Sequence, residues 1–70
     1  MENIKIDTEY IKLGQLLKLA GIADSGVHAK IIIANEEVCV NGNVEIQRGK
    51  KIYPKDIVSI EGYEDILVCE

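Results

Sequence analysis

A chain of 70 residues allows one small domain, with a core supplying only about 3–5 kcal/mol, and leaves no room for a separate catalytic domain. Apolar residues make up 47% of it, yet Phe and Trp are absent and Tyr occurs three times, so Leu, Ile and Val must fill the core. No run reaches the roughly 20 apolar residues that cross a bilayer, and a net charge of −4, taken as a single total, argues against a polyanionic partner.

That total hides a division. Residues 1–11 set Lys5 against Glu2, Asp7 and Glu9, and residues 56–70 hold Asp56, Glu61, Glu64, Asp65 and Glu70 with no cation. Residues 12–55 carry seven cations against Asp24, Glu36, Glu37 and Glu45, a net charge of +3 between two acidic ends. Within "QRGKKIYPK", Arg48, Lys50, Lys51 and Lys55 gather four of the eight cations into eight residues. Local field attracts phosphate within a Debye length of about 8 Å, whatever the distant charge. The acidic opening lacks the basic start and apolar stretch of a secretory leader, which predicts an unexported, cytoplasmic protein.

In chain order, "IKI" at residues 4–6 is a candidate edge strand. Leu13, Leu16, Leu17 and Ala20 follow the i, i+3, i+4, i+7 stripe of an amphipathic helix, and Gly21 stands where such a helix ends. Lys12, Gln15 and Lys18 fall off that stripe. Ser25 is the predicted N-cap of a second helix through "GVHAKIIIANE", with Asp24 able to share the role. Val27, Ala29, Ile31, Ile32, Ile33 and Ala34 surround most of it and leave narrow polar sectors at Lys30 and at His28 with Asn35. A helix this apolar is predicted to be covered on more than one side.

"VCV" at 38–40 reads as a strand, Asn41-Gly42 as a tight reversal and "VEI" as the returning strand. The cationic loop follows, then a turn through Pro54-Lys55-Asp56 into a strand at 57–60, and "DILVC" closes the chain. Cys39 and Cys69 lie 30 residues apart inside apolar runs, without a metal-ligand spacing. They read as two reduced core thiols, with no metal and no cofactor.

The stretch "KLGQLLKLAGIADSGVHAKIIIANEEVCVNG" resembles the RNA-binding domain named after small-subunit ribosomal protein four, the S-four domain, over about residues 10–60. Lys12, Leu13 and Leu17 match its first helix, and Ser25, Ala29, Lys30 and Ile33 match its second. Val38, Val40, Asn41 and Gly42 match its Val-x-Val-Asn-Gly hairpin, the most specific element. The chain departs from the pattern at Gly14, where Asp is usual, at Glu36, where Gly is usual, and at Pro54-Lys55-Asp56, whose usual Gly is missing. Gly26, Val27 and Ala34 replace residues that are often cationic or polar.

The resemblance implies one α+β domain over residues 1–70, with two short helices packed on a small antiparallel sheet, the S-four-type αL RNA-binding arrangement. It implies the small stand-alone bacterial branch, a protein without catalytic activity that binds structured RNA, ribosomal or transfer, by phosphate and shape contacts, with the ribosome as an expected partner.

The expected RNA-contacting residues are Arg48, Lys50, Lys51, Lys30, Lys55, Lys12, Lys18 and His28. Each has a plainer reading: a solvated loop for Arg48 to Lys55, solubilising lysines on helix one, and a partly exposed helix residue for His28. Tyr10 and Tyr53 are expected to pack on the aliphatic core rather than stack on a base. Ser25 and Gly42 read as a cap and a turn, and Glu36-Glu37 as a solvated helix end. Two other readings remain. The apolar second helix would suit a protein-interaction module without physiological RNA binding, and "VNGNVEI" prompts a sulfur carrier, although the chain ends Val68-Cys69-Glu70 rather than Gly-Gly.

Overall fold

In the computed structural model, which describes all residues from Met1 to Glu70, the two periodicities become two layers. The elements in chain order are β1 (Glu2–Lys5), β2 (Ile11–Lys12), α1 (Leu13–Leu19), α2 (Gly26–Ala34), β3 (Val38–Val40), β4 (Asn43–Val44), β5 (Lys51–Ile52), β6 (Ile57–Ile60) and β7 (Ile66–Cys69). Alternation selects one face of each long strand. Val38 and Val40, Val58 and Ile60, and Ile66 and Val68 point inward, where Leu13, Leu16, Leu17, Ala29 and Ile33 of the helices meet them. No polar or charged side chain is buried, so every group capable of binding chemistry stands at the surface.

The main sheet runs β1-β7-β6-β3-β4. β3 and β4 form a hairpin through Asn41 (φ 51°) and Gly42 (φ 87°), the paired positive dihedrals of a primed turn. Asn41 also anchors the hairpin outward, since its amide donates to Asp56 Oδ1 (3.0 Å) and its oxygen accepts from Ile57 N (2.9 Å). β6 is antiparallel to both β3 and β7.

The expected antiparallel sheet needs one correction: β1 joins β7 in parallel, with Ile4 beside Val68, so the sheet is mixed. This arrangement buries Ile4 and Ile6 at an edge that would otherwise expose β7. It also brings the two acidic ends of the chain together, with Glu2 N donating to Asp65 O (2.8 Å).

Helix boundaries follow their caps. α1 ends in a Schellman motif: Gly21, at φ 77°, donates to Lys18 O (3.0 Å), Ile22 N donates to Leu17 O (3.0 Å), and Ile22 is buried against the core. Ser25 caps α2 as expected, its Oγ accepting from His28 N (3.1 Å), while His28 Nδ1 accepts from Asp24 N (3.1 Å). Two amides at the helix start are thereby satisfied reciprocally, in the manner of a capping box. Ser25→Ala should cost about 1 kcal/mol of unfolding free energy, read by urea denaturation. Glu36 follows the α2 cap in a left-handed conformation (φ 62°), its amide donating to Ile33 O (3.1 Å). Glu36→Gly should therefore stabilise the domain by roughly 1 kcal/mol in the same assay.

Two further expectations change. α2 is covered on one side only: Ala29 and Ile33 are buried, but Val27 is 68% and Ile31 53% exposed. A chain of this length has one sheet and one neighbouring helix to offer, and these bury a single stripe. Cys39 and Cys69 are free but half-buried, not core thiols, because they occupy the strand positions that alternate with the inward valines. One strand, β6, lies between β3, which carries Cys39, and β7, which carries Cys69, and keeps the thiols apart.

Candidate nucleic-acid interface

Lys12 and Lys51 are brought together by a second, two-stranded ribbon that the sequence reading did not foresee. β2 pairs with β5 in antiparallel register, Ile11 opposite Ile52 and Lys12 opposite Lys51. Ile52 is fully buried and Ile11 packs against the core, so the other face of the ribbon carries Lys12 and Lys51. Tyr10 and Tyr53 extend that face by the same alternation, with ring centroids 5.8 Å apart, and Lys51 Nζ lies 4.9 Å from the Tyr10 centroid. Like charges directly opposite one another are unfavourable, and the cation–π contact offsets this only in part. An anion bound between the two lysines would relieve it.

Beyond the ribbon, the loop from Gln47 to Lys50 is clamped to the start of α1. Lys12 offers no side-chain cap to that helix; instead Leu13 N donates to Lys50 O and Gly14 N to Arg48 O, both at 2.9 Å. The approach is close enough that a Cβ on Gly14 would lie 3.5 Å from both Arg48 Cβ and Arg48 O. The clamp sets Arg48 beside Lys12 and Lys18 around an open cleft of about 290 Å³, completed by Gly14, Gln15, Gly26 and Gly49. Neither a carboxylate nor an apolar side chain lines this cleft.

No Lys or Arg of the chain lies within 4.0 Å of a carboxylate; the ion pair present is that of the Met1 ammonium with Glu64. Twelve carboxylates therefore leave all eight cations without a direct partner. Phosphate binding needs several cations free of carboxylate partners, and the cleft brings three such side chains together.

The remaining predicted site residues divide. Lys50 and Lys51 border a second depression, of about 270 Å³, with Asn43, Glu45, Tyr53 and Asp56. Lys30 is exposed on α2, one turn along from the cleft residue Gly26. His28 is occupied as a cap, with Nδ1 accepting from Asp24 N. Lys55 stands apart, held at φ 80° in the turn through Pro54 and lining a different depression with Lys5, Asp7, Glu9 and Glu70. The expected cationic cluster of residues 48–55 is thus split three ways.

Tyr10 and Tyr53 are the residues that sequence reasoning misplaced. Tyr53 is 41% exposed and Tyr10 half-buried on the outward face rather than packed on the core, because their neighbours Ile11 and Ile52 take the inward positions. The signal was in the sequence: "YIK" at 10–12 and "KIY" at 51–53 are mirror images, and antiparallel pairing sets Tyr by Tyr, Ile by Ile and Lys by Lys.

Known proteins resemble this chain in sequence and in fold. A family model described as "S4 domain" matches residues 4–69. The chain is 50% identical over 60 residues to "Probable ribosome maturation protein RlbA" of Bacillus subtilis, covering 86% of this chain and 84% of that protein. It is 43% identical over 54 residues to "Putative RNA-binding protein YbcJ" of Escherichia coli, covering 77% of each. The solution structure of YbcJ, described as revealing an alfaL motif involved in RNA binding, superposes with a TM-score of 0.76 at 35% identity. That superposition covers the whole of this chain and 89% of YbcJ.

Proposed function

The chain belongs to the S4 domain family, and from that premise we propose that it binds structured RNA without acting on it chemically, through phosphates seated along the Lys12, Lys18 and Arg48 cleft. The observation that carries this reading is the cleft itself: three cations converge on it, no carboxylate lines it, and none of the three is paired elsewhere. Lys51 and Lys50 continue the positive surface past the ribbon, and Lys30 continues it along α2. Phosphate contacts of this kind position a nucleic acid without reading its sequence, so shape selects the target. Ribosomal RNA is favoured over transfer RNA by the ribosome-maturation name of the Bacillus subtilis relative. A cytoplasmic location suits both this partner and the two free thiols.

The test is a titration of the protein against ribosomal RNA fragments and a transfer RNA pool at several salt concentrations. Binding is expected to weaken with salt at a log–log slope of about −4 to −5, roughly 0.7 to 0.9 for each phosphate neutralised by Lys12, Lys18, Arg48, Lys50, Lys51 and Lys30. Absence of binding to either RNA near physiological salt overturns the proposal. A second reading, docking of a protein on α2, draws on the exposure of Val27 and Ile31, one helical turn apart on one face. It predicts no RNA binding near physiological salt.

A further inference from the structure

We propose that the depression between the β3–β4 hairpin and β5 receives one unpaired nucleotide of the bound RNA, with its base stacked on Tyr53 and its edge facing Asn43. The inference rests on the RNA-binding reading above and adds the structural class of the RNA: a duplex interrupted by a bulged or looped-out base.

Four observations converge on a base rather than a second phosphate. Tyr53 presents its ring to solvent, backed by Tyr10 with centroids 5.8 Å apart, and its backbone is held from two sides. Tyr53 N donates to Asp56 Oδ2 (2.8 Å), and Asp56 N donates to Tyr53 O (3.0 Å). A ring backed by a second ring and carried on an anchored backbone loses less freedom on stacking than one on a loose loop.

The depression is also lined by the carboxylates of Glu45 and Asp56, which would repel a phosphate but admit a neutral base. Both are already engaged within the fold, Asp56 by Tyr53 N and Asn41 and Glu45 by Gln47 N. Asn43, in contrast, makes no side-chain hydrogen bond, although Asn41 two residues earlier uses both ends of its amide. A free amide supplies the donor and acceptor pair that an adenine edge requires. Finally, Lys50 and Lys51 stand at the rim, where the phosphates flanking an extruded base would pass. Stacking of splayed bases on aromatic rings is the usual means of reading RNA outside a duplex.

The experiment compares two RNA hairpins that differ only in one bulged adenosine, titrated with wild-type protein, Tyr53→Ala, Tyr53→Phe and Asn43→Ala at one salt concentration. Wild type should prefer the bulged hairpin. Tyr53→Ala should lower its affinity for that hairpin about 5- to 150-fold, the range of a lost base–aromatic stack, while changing affinity for the paired hairpin less than twofold. Tyr53→Phe should bind like wild type, because the ring and not the hydroxyl stacks. Asn43→Ala, at an exposed strand residue that leaves the Tyr10–Tyr53 contact intact, should lose affinity for the bulged hairpin alone. Circular dichroism of each variant establishes that it is folded. Equal wild-type affinity for the two hairpins, or losses in Tyr53→Ala and Asn43→Ala that are absent or the same on both, overturns the nucleotide site and leaves RNA binding standing. Failure of wild type to bind either hairpin overturns both proposals.

Discussion

Lys12→Ala, Lys18→Ala and Arg48→Ala combined should reduce affinity for ribosomal RNA on the order of 100-fold near 0.15 M salt and flatten the log–log salt slope by about 2 to 3. The reason is that the three side chains converge on one cleft with no carboxylate among its lining residues, so each is available to displace counterions from a phosphate. Because none of them makes an ion pair in the free protein, removing them breaks no intramolecular salt bridge. Stability should stay within about 0.5 kcal/mol of wild type for such surface changes. The control is Lys55→Ala. That lysine carries the same charge but stands among Asp7, Glu9 and Glu70, so its loss should alter RNA affinity less than twofold. If Lys55→Ala weakens binding as much as a cleft substitution does, net charge rather than the cleft determines affinity. Titration by fluorescence anisotropy at three salt concentrations distinguishes the two.

Ile52→Ala should have the largest effect on folding, about 2–5 kcal/mol, against a domain stability of roughly 3–5 kcal/mol. Ile52 is fully buried and sits opposite Ile11 in a ribbon only two residue pairs long. No other pair holds that ribbon to the core, so the cavity cannot be closed by a small shift along a long strand. A substantial unfolded population at 25 °C is expected, read from urea denaturation followed by far-ultraviolet circular dichroism. Since Lys51 and Tyr53 flank Ile52, the folded fraction should also bind RNA less tightly. A loss below 1 kcal/mol would mean that the ribbon is held by its loop clamp, Leu13 N to Lys50 O and Gly14 N to Arg48 O, rather than by its buried face.

Local chemistry explains which features were legible. Gly21 and Ser25 act as stop and start because their conformational and capping preferences operate within one helical turn. Asn41-Gly42 turns for a similar reason, and the alternation of Ile57 to Ile60 shows its inward face without knowledge of its partner. Membership of the S4 family was readable because these short-range signals recur in a fixed order. The extent of cover on α2 was not. Apolar residues surround that helix, and only the number of neighbouring elements decides that Val27 and Ile31 remain in solvent.

The site divides along the same line. The cationic residues and their concentration between acidic ends are properties of the sequence, as are the helices and hairpin that present them, since these depend on residue type and near neighbours. Which cations stand together was decided by tertiary structure alone. Lys12 and Lys51 are 39 positions apart in the chain and become neighbours through the pairing of β2 with β5, whereas Lys51 and Lys55, four positions apart, are separated by a turn. Electrostatic interaction depends on distance in space, and the long-range pairings that set those distances become fixed only when the buried faces of Ile11 and Ile52 find the common core.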